Sequence, residues 1–199
     1  MIGFEYINNW VFPLTPIITL IIGLIFFICL LGLGNYFFTK FKYNIAEPWL
    51  SVVSVVLGVL LFSLAVQILS ICEVANRRLL IGLITAILPF GFNFLSKKSS
   101  RINIVPSYHG FGRFPLLIIL IAMLINLLVA LAPTTKIDEM VYHMLIPSRI
   151  VNDGSLIYYQ LPWEGAILPH MFYQIMITPL YALGLPDSGN IVSFALLGL

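Results

Sequence analysis

The feature that most constrains this chain is an apolar run of about twenty residues that recurs along it. That is the length a helix needs to cross the hydrocarbon core of a bilayer. Such runs cover Trp10–Gly34, Leu50–Cys72, Leu79–Leu95, Pro115–Ala132 and Leu168–Gly184, and a sixth starts near Gly189. In lipid every backbone polar group must be satisfied within the segment, so runs of this kind predict helices. The expected fold class is all-α: a polytopic membrane helix bundle. Of 199 residues, 60% are hydrophobic and 9% charged, which excludes disorder. Two cysteines do not make a disulfide scaffold. Ten basic residues against eight acidic ones make no nucleic-acid footprint, so no nucleic-acid partner is expected. The first run has no basic leader and no small-residue cleavage site, so it reads as a span, not a signal peptide. The last residues, Ser193 to Leu199, are apolar with no closing polar flank, as in a chain cut from a longer one.

Orientation follows the basic residues of the short loops. Loops 35–49 and 96–114 hold Lys40, Lys42, Lys97, Lys98, Arg101 and Arg113. The opposite side holds Arg77, Arg78, Lys136 and Arg149. The richer face is expected in the cytoplasm of a multi-pass cell-membrane protein, with the N-terminus and loop 133–169 outside. On this layout Cys29 and Cys72 lie at opposite ends of the spans and should stay unpaired, as small buried apolar residues. Asn93 and Asn126, isolated in apolar runs, are expected to hydrogen-bond between helices. Pro13, Pro16, Pro89 and Pro179 fall within or at the ends of spans, where membrane helices tolerate proline.

Loop 133–169 holds half of the acidic residues: Asp138, Glu139, Asp153 and Glu164. Thr135 and Asp138 fit a capped helix start, and Val141, Met144 and Leu145 continue an apolar stripe at helical spacing. Pro147 should kink this helix or begin a second turn, and Asn152-Asp153-Gly154 closes it. The result is a short amphipathic helix lying in the outer interface. Adjacent carboxylates at a membrane surface repel each other, and one of them can serve as a general base. The same pair in a first helical turn also complements the macrodipole, so capping is the alternative. Glu139 and His143, like Asp138 and Tyr142, are four residues apart and share a helix face. Asp138, Glu139 and His143 offer metal-ligand atoms, but no HExxH or paired-cysteine spacing accompanies them, so no metal or cofactor is assigned. Tyr158, Tyr159 and Trp163 form either an interfacial aromatic belt or a wall for stacking a sugar. His170 stands at the mouth of the fifth run.

The stretch Ile137-Asp138-Glu139-Met140-Val141-Tyr142-His143, then Pro147, Asn152-Asp153-Gly154 and Pro179-Leu180-Tyr181 with Gly184, resembles the first outer loop of GT-C glycosyltransferases. It is closest to the bacterial branch similar to protein O-mannosyltransferases and the lipid A aminoarabinose transferase. The resemblance covers about residues 115–199, which would be the N-terminal part of an incomplete GT-C-like core. Residues 1–114 would be three leading spans. It implies a membrane transferase that takes a sugar from a polyprenyl-phosphate carrier and places it on an acceptor hydroxyl outside the cytoplasm. Asp138 would be the carboxylate at the reaction centre, with Glu139 beside it. Tyr142, His143, Arg149, Tyr158, Trp163 and His170 would bind substrate, and Lys136, Arg149 and His170 would steady the leaving phosphate. Where the family often carries Lys-Pro-Pro-Leu or His-Pro-Pro-Leu, this chain reads Leu168-Pro169-His170-Met171. Two other classes compete: a transporter or channel subunit, and a non-catalytic membrane assembly protein.

Overall fold

The computed structural model describes residues 15–43, 49–99, 113–132, 145–156 and 172–197. Among them are seven helices and no strand: α1 (Thr15–Lys40), α2 (Trp49–Ile71), α3 (Arg77–Ser99), α4 (Arg113–Leu131), α5 (Leu145–Asp153), α6 (Phe172–Ala182) and α7 (Ser188–Leu197). The stretches Pro16–Lys40, Trp49–Ile71 and Arg77–Lys97 are long and apolar enough to cross a membrane, as befits a helical membrane protein.

The frame is α1 packed against α2 and α3. A buried Leu gains little on leaving lipid for protein, so close packing must hold such helices together. Glycines supply it. A Cβ on Gly34 would run into the Ser54 carbonyl of α2, and one on Gly58 into the Leu30 carbonyl of α1. Four residues before Leu30, Phe26 meets Phe62 edge-to-face at 5.1 Å between ring centroids. Each step of four residues up α1 is thus matched by four down α2, so the pair is antiparallel. On another face Gly32 abuts the Phe90 backbone of α3, and a Cβ on Gly91 would lie 2.8 Å from Cys29 Sγ. The core runs through Phe26, Leu30, Val55, Phe62, Val66 and Leu80, all buried.

Helix ends explain where the observed boundaries depart from the apolar runs. The first run was expected to end at Gly34, yet α1 continues to Lys40, because Gly32 and Gly34 are held in the frame and give the chain no reason to break. It stops where Lys42 takes a left-handed φ of 57°. The Tyr43 N–H then donates to Phe38 O at 3.1 Å and the Lys42 N–H to Thr39 O at 3.2 Å, the Schellman pattern. Glu73 (φ 59°) ends α2 in the same way, as Gly184 (φ 80°) ends α6. Asn76 Oδ1 accepts from the Leu79 N–H at 3.0 Å and caps α3, so that helix starts two residues ahead of its apolar run.

Over the described residues the fifth and sixth runs form α6 and α7. α6 is internal to the bundle: every residue from Gln174 to Leu180 is buried, packed against α2, α3 and α5. Its end returns to the start of α3, where Arg77 Nε donates to the Ala182 carbonyl at 2.8 Å. The turn after Ala182 leads to α7, which lies on α1 at Gly23; a Cβ there would sit 2.6 Å from Ile191 Cβ.

α4 packs mainly on α7, and its residues 117–126 are exposed. Among the described residues Asn126 bonds within its own helix: its Nδ2 donates to the Ala122 carbonyl at 2.8 Å. Both cysteines are free, Cys29 buried as expected and Cys72 exposed, contrary to expectation, on the turn after α2. Pro16 sits in the first turn of α1, where its missing N–H costs nothing. Pro89 and Pro179 lie inside α3 and α6, and Pro13 lies outside the described residues.

Candidate functional site

The described part of loop 133–169 is residues 145–156, which include α5. Over the described residues this helix runs Leu145–Asp153 and contains Pro147. One face is apolar: Pro147 and Ile150 are buried, and Ile146 and Val151 pack on the core. The other face carries Asn152 and Asp153, both exposed. α5 therefore docks on α6. Its end is the expected glycine: Gly154 has φ 71°, and its N–H donates to Ile150 O at 2.9 Å.

Two backbone hydrogen bonds then fasten the segment to the turn between α2 and α3. The Ala75 N–H donates to the Gly154 carbonyl at 2.9 Å, and the Leu156 N–H donates to the Ser70 carbonyl at 3.1 Å. Ser70, Ala75 and Ser155 are buried there. The loop is thereby held at the end of the bundle that also receives Ala182 of α6. Charge at this end is mixed, with Glu73, Asp153 and Asp187 among Arg77, Arg78 and Arg149.

Of the residues singled out from the sequence, Arg149 is described; it is half-buried on α5. Asp138, Glu139, Tyr142, His143, Tyr158, Trp163 and His170 lie outside the described residues, as do Lys136 and the proposed cap at Thr135. Among the described residues no cluster of three His, Cys, Asp or Glu side chains forms a metal-binding group.

Sequence reasoning missed the polar interior beside this docking point. Gln174, Thr178, Asp187 and Ser188 are buried on α6 and the turn to α7. Thr178 Oγ1 donates to Gln174 O at 2.9 Å, and Tyr173 Oη donates to Asn190 Oδ1 at 3.4 Å. A Cβ on Gly189 would lie 2.6 Å from Ile177, so α6 and α7 cross closely there. The available signal was a polar residue at every fourth position of an apolar run, Gln174 then Thr178. That marks an internal face, not a lipid-facing one. Comparison of the chain with protein families, with characterised proteins and with solved structures finds no match.

Proposed function

We propose that this chain belongs to a membrane glycosyltransferase that moves a sugar from a polyprenyl-phosphate donor to an acceptor hydroxyl on the outer side of the cell membrane. The observation that carries the reading is the adjacent pair Asp138-Glu139 in the segment whose far end is fastened to the α2–α3 turn through Gly154 and Leu156. A reacting loop needs a rigid frame beneath it, and α5 docked on α6 supplies one. The chemistry suits the residues. The Asp138 carboxylate takes the proton of the acceptor hydroxyl, and the hydroxyl oxygen bonds to the anomeric carbon. The bond from that carbon to the phosphate oxygen breaks, and polyprenyl phosphate leaves with the electron pair. The leaving phosphate is weakly basic and needs charge stabilisation, not a general acid; Arg149, Lys136 and His170 are the groups suited to it. Tyr142, His143, Tyr158 and Trp163 would line the sugar.

The test supplies membranes containing the protein with polyprenyl-phosphate-linked mannose or aminoarabinose and follows the label into acceptor. Asp138→Asn should lower transfer by about 10²-fold or more, the weight of a general base. Transfer undiminished in both Asp138→Asn and Glu139→Gln would refute the assignment. The buried polar residues of α6 and α7 favour a second reading, a transporter. In that case Gln174→Leu should block solute flux, and Asp138→Asn should not.

A further inference from the structure

The two ends of the frame differ in chemistry. α1 and α2 are antiparallel, and the short turn after α2 reverses the chain again. The end of α1, the start of α2 and the end of α3 therefore lie together, opposite the α5 docking point. There α1 finishes in Tyr36-Phe37-Phe38-Thr39-Lys40, the chain runs on through Phe41-Lys42-Tyr43, and α2 opens on Trp49. The rings pack on one another. Phe37 and Phe41 lie 6.2 Å apart between ring centroids, Phe38 and Tyr43 6.0 Å, and Tyr36 meets Phe90 of α3 edge-to-face at 5.1 Å. They form a collar and not a core, because Phe41, Tyr43 and Trp49 are 63%, 66% and 66% exposed. The other exposed aromatic side chains among the described residues are Tyr36 in the collar and Phe92 on the same half of α3; none is at the α5 end.

Charge divides in the same way. Lys40 and Lys42 stand within the collar, both exposed, and Lys40 Nζ lies 5.8 Å from the centre of the Tyr36 ring. Lys97 near the end of α3 adds charge of the same sign. Among the described residues no carboxylate stands at this end; the sequence places one, Glu47, in segment 44–48 outside them. The α5 end instead mixes Glu73, Asp153 and Asp187 with its arginines.

Depth agrees with the chemistry. α1 has 26 residues, about 39 Å at 1.5 Å per residue, against about 30 Å of hydrocarbon. The excess of about 9 Å is enough to bring the collar into the headgroup layer. Aromatic rings anchor at that depth in any leaflet. Lysines among the rings add attraction to negative headgroups. We propose that this collar is a docking surface for anionic phospholipid headgroups. The Lys40 and Lys42 ammonium groups meet the phosphates, and the exposed rings of Phe41, Tyr43 and Trp49 seat among the glycerol and first acyl carbons. The surface is independent of the reaction proposed for loop 133–169.

The experiment uses the whole chain with Trp10→Phe and Trp163→Phe, so that Trp49 is the sole tryptophan. It is reconstituted in vesicles of equal parts phosphatidylglycerol and phosphatidylcholine. Each lipid in turn carries a nitroxide on its fifth acyl carbon, and quenching of Trp49 reports that lipid's share of the contacts. Phosphatidylglycerol should quench more. Each lysine should contribute up to about fivefold to that preference, the weight of one basic side chain near an anionic surface. Lys40→Gln and Lys42→Gln should each lower it, and the double variant should abolish it, as should 1 M salt, where screening acts over about 3 Å. Arg78→Gln at the opposite end should leave it unchanged. A tryptophan at that end, Ile71→Trp with Trp49→Phe, should show no preference. The proposal is overturned if both lipids quench Trp49 equally, which would make the collar a neutral interfacial belt. It is equally overturned if the double lysine variant keeps the preference, or if Ile71→Trp shows the same one.

Discussion

Gly58→Ala tests the packing of the frame most directly. The added methyl would collide with the Leu30 carbonyl of α1, a backbone group that cannot turn aside as a side chain would. α1 and α2 must then separate. Overpacking of this kind costs about 1–3 kcal/mol. Separation also loosens the edge-to-face pair of Phe26 and Phe62, 5.1 Å apart, a contact worth about 0.5–1.5 kcal/mol. Alanine returns up to about 1 kcal/mol of helix propensity. The net loss is therefore about 1–3 kcal/mol. For a chain of this size that is a fall of roughly 5 °C in melting temperature, readable by circular dichroism in mild detergent. Gly82→Ala is the internal control, because nothing lies within 4 Å of where its Cβ would stand. It should melt at or slightly above the parent temperature. If the two variants melt alike, close backbone approach is not what holds α1 to α2.

Three further predictions concern helix ends. Gly154→Ala forces a side chain into φ 71° at a cost of about 1–2 kcal/mol, and should speed hydrogen exchange at Ala75 and Leu156, whose N–H groups hold α5 to the frame. Glu73→Gly relieves a left-handed residue at φ 59° and should stabilise the protein by about 0.5–1 kcal/mol, the left-handed penalty less the entropy lost by glycine; a lower melting temperature would count against that. Arg77→Gln removes the donor that holds the Ala182 carbonyl at 2.8 Å, a charge-assisted bond worth about 1.5–3 kcal/mol, so the turn at 183–187 should become more accessible to proteolysis.

Much of the frame was legible in the chain itself. An apolar run of the right length declares a helix, because the backbone has no other way to satisfy itself in lipid, and α2 follows its run almost residue for residue. Gly154 at a helix end was readable for a local reason, since it depends on the φ of one residue. The candidate site was legible only as residue types: Asp138-Glu139 stands out because charge is scarce elsewhere, and the structure adds the position of Arg149 on α5.

The sequence by itself determined which segments become helices and where several of them stop. It did not determine which run would remain inside the protein. Nothing in Leu168–Gly184 alone told that its described part, α6, would be buried among α2, α3 and α5 with its end at Arg77. Nor could composition tell Gly82, which faces open space, from Gly58, which faces a carbonyl. Length and hydropathy are properties of one segment, whereas close approach and depth belong to pairs of segments, and only the packed bundle specifies the pairs.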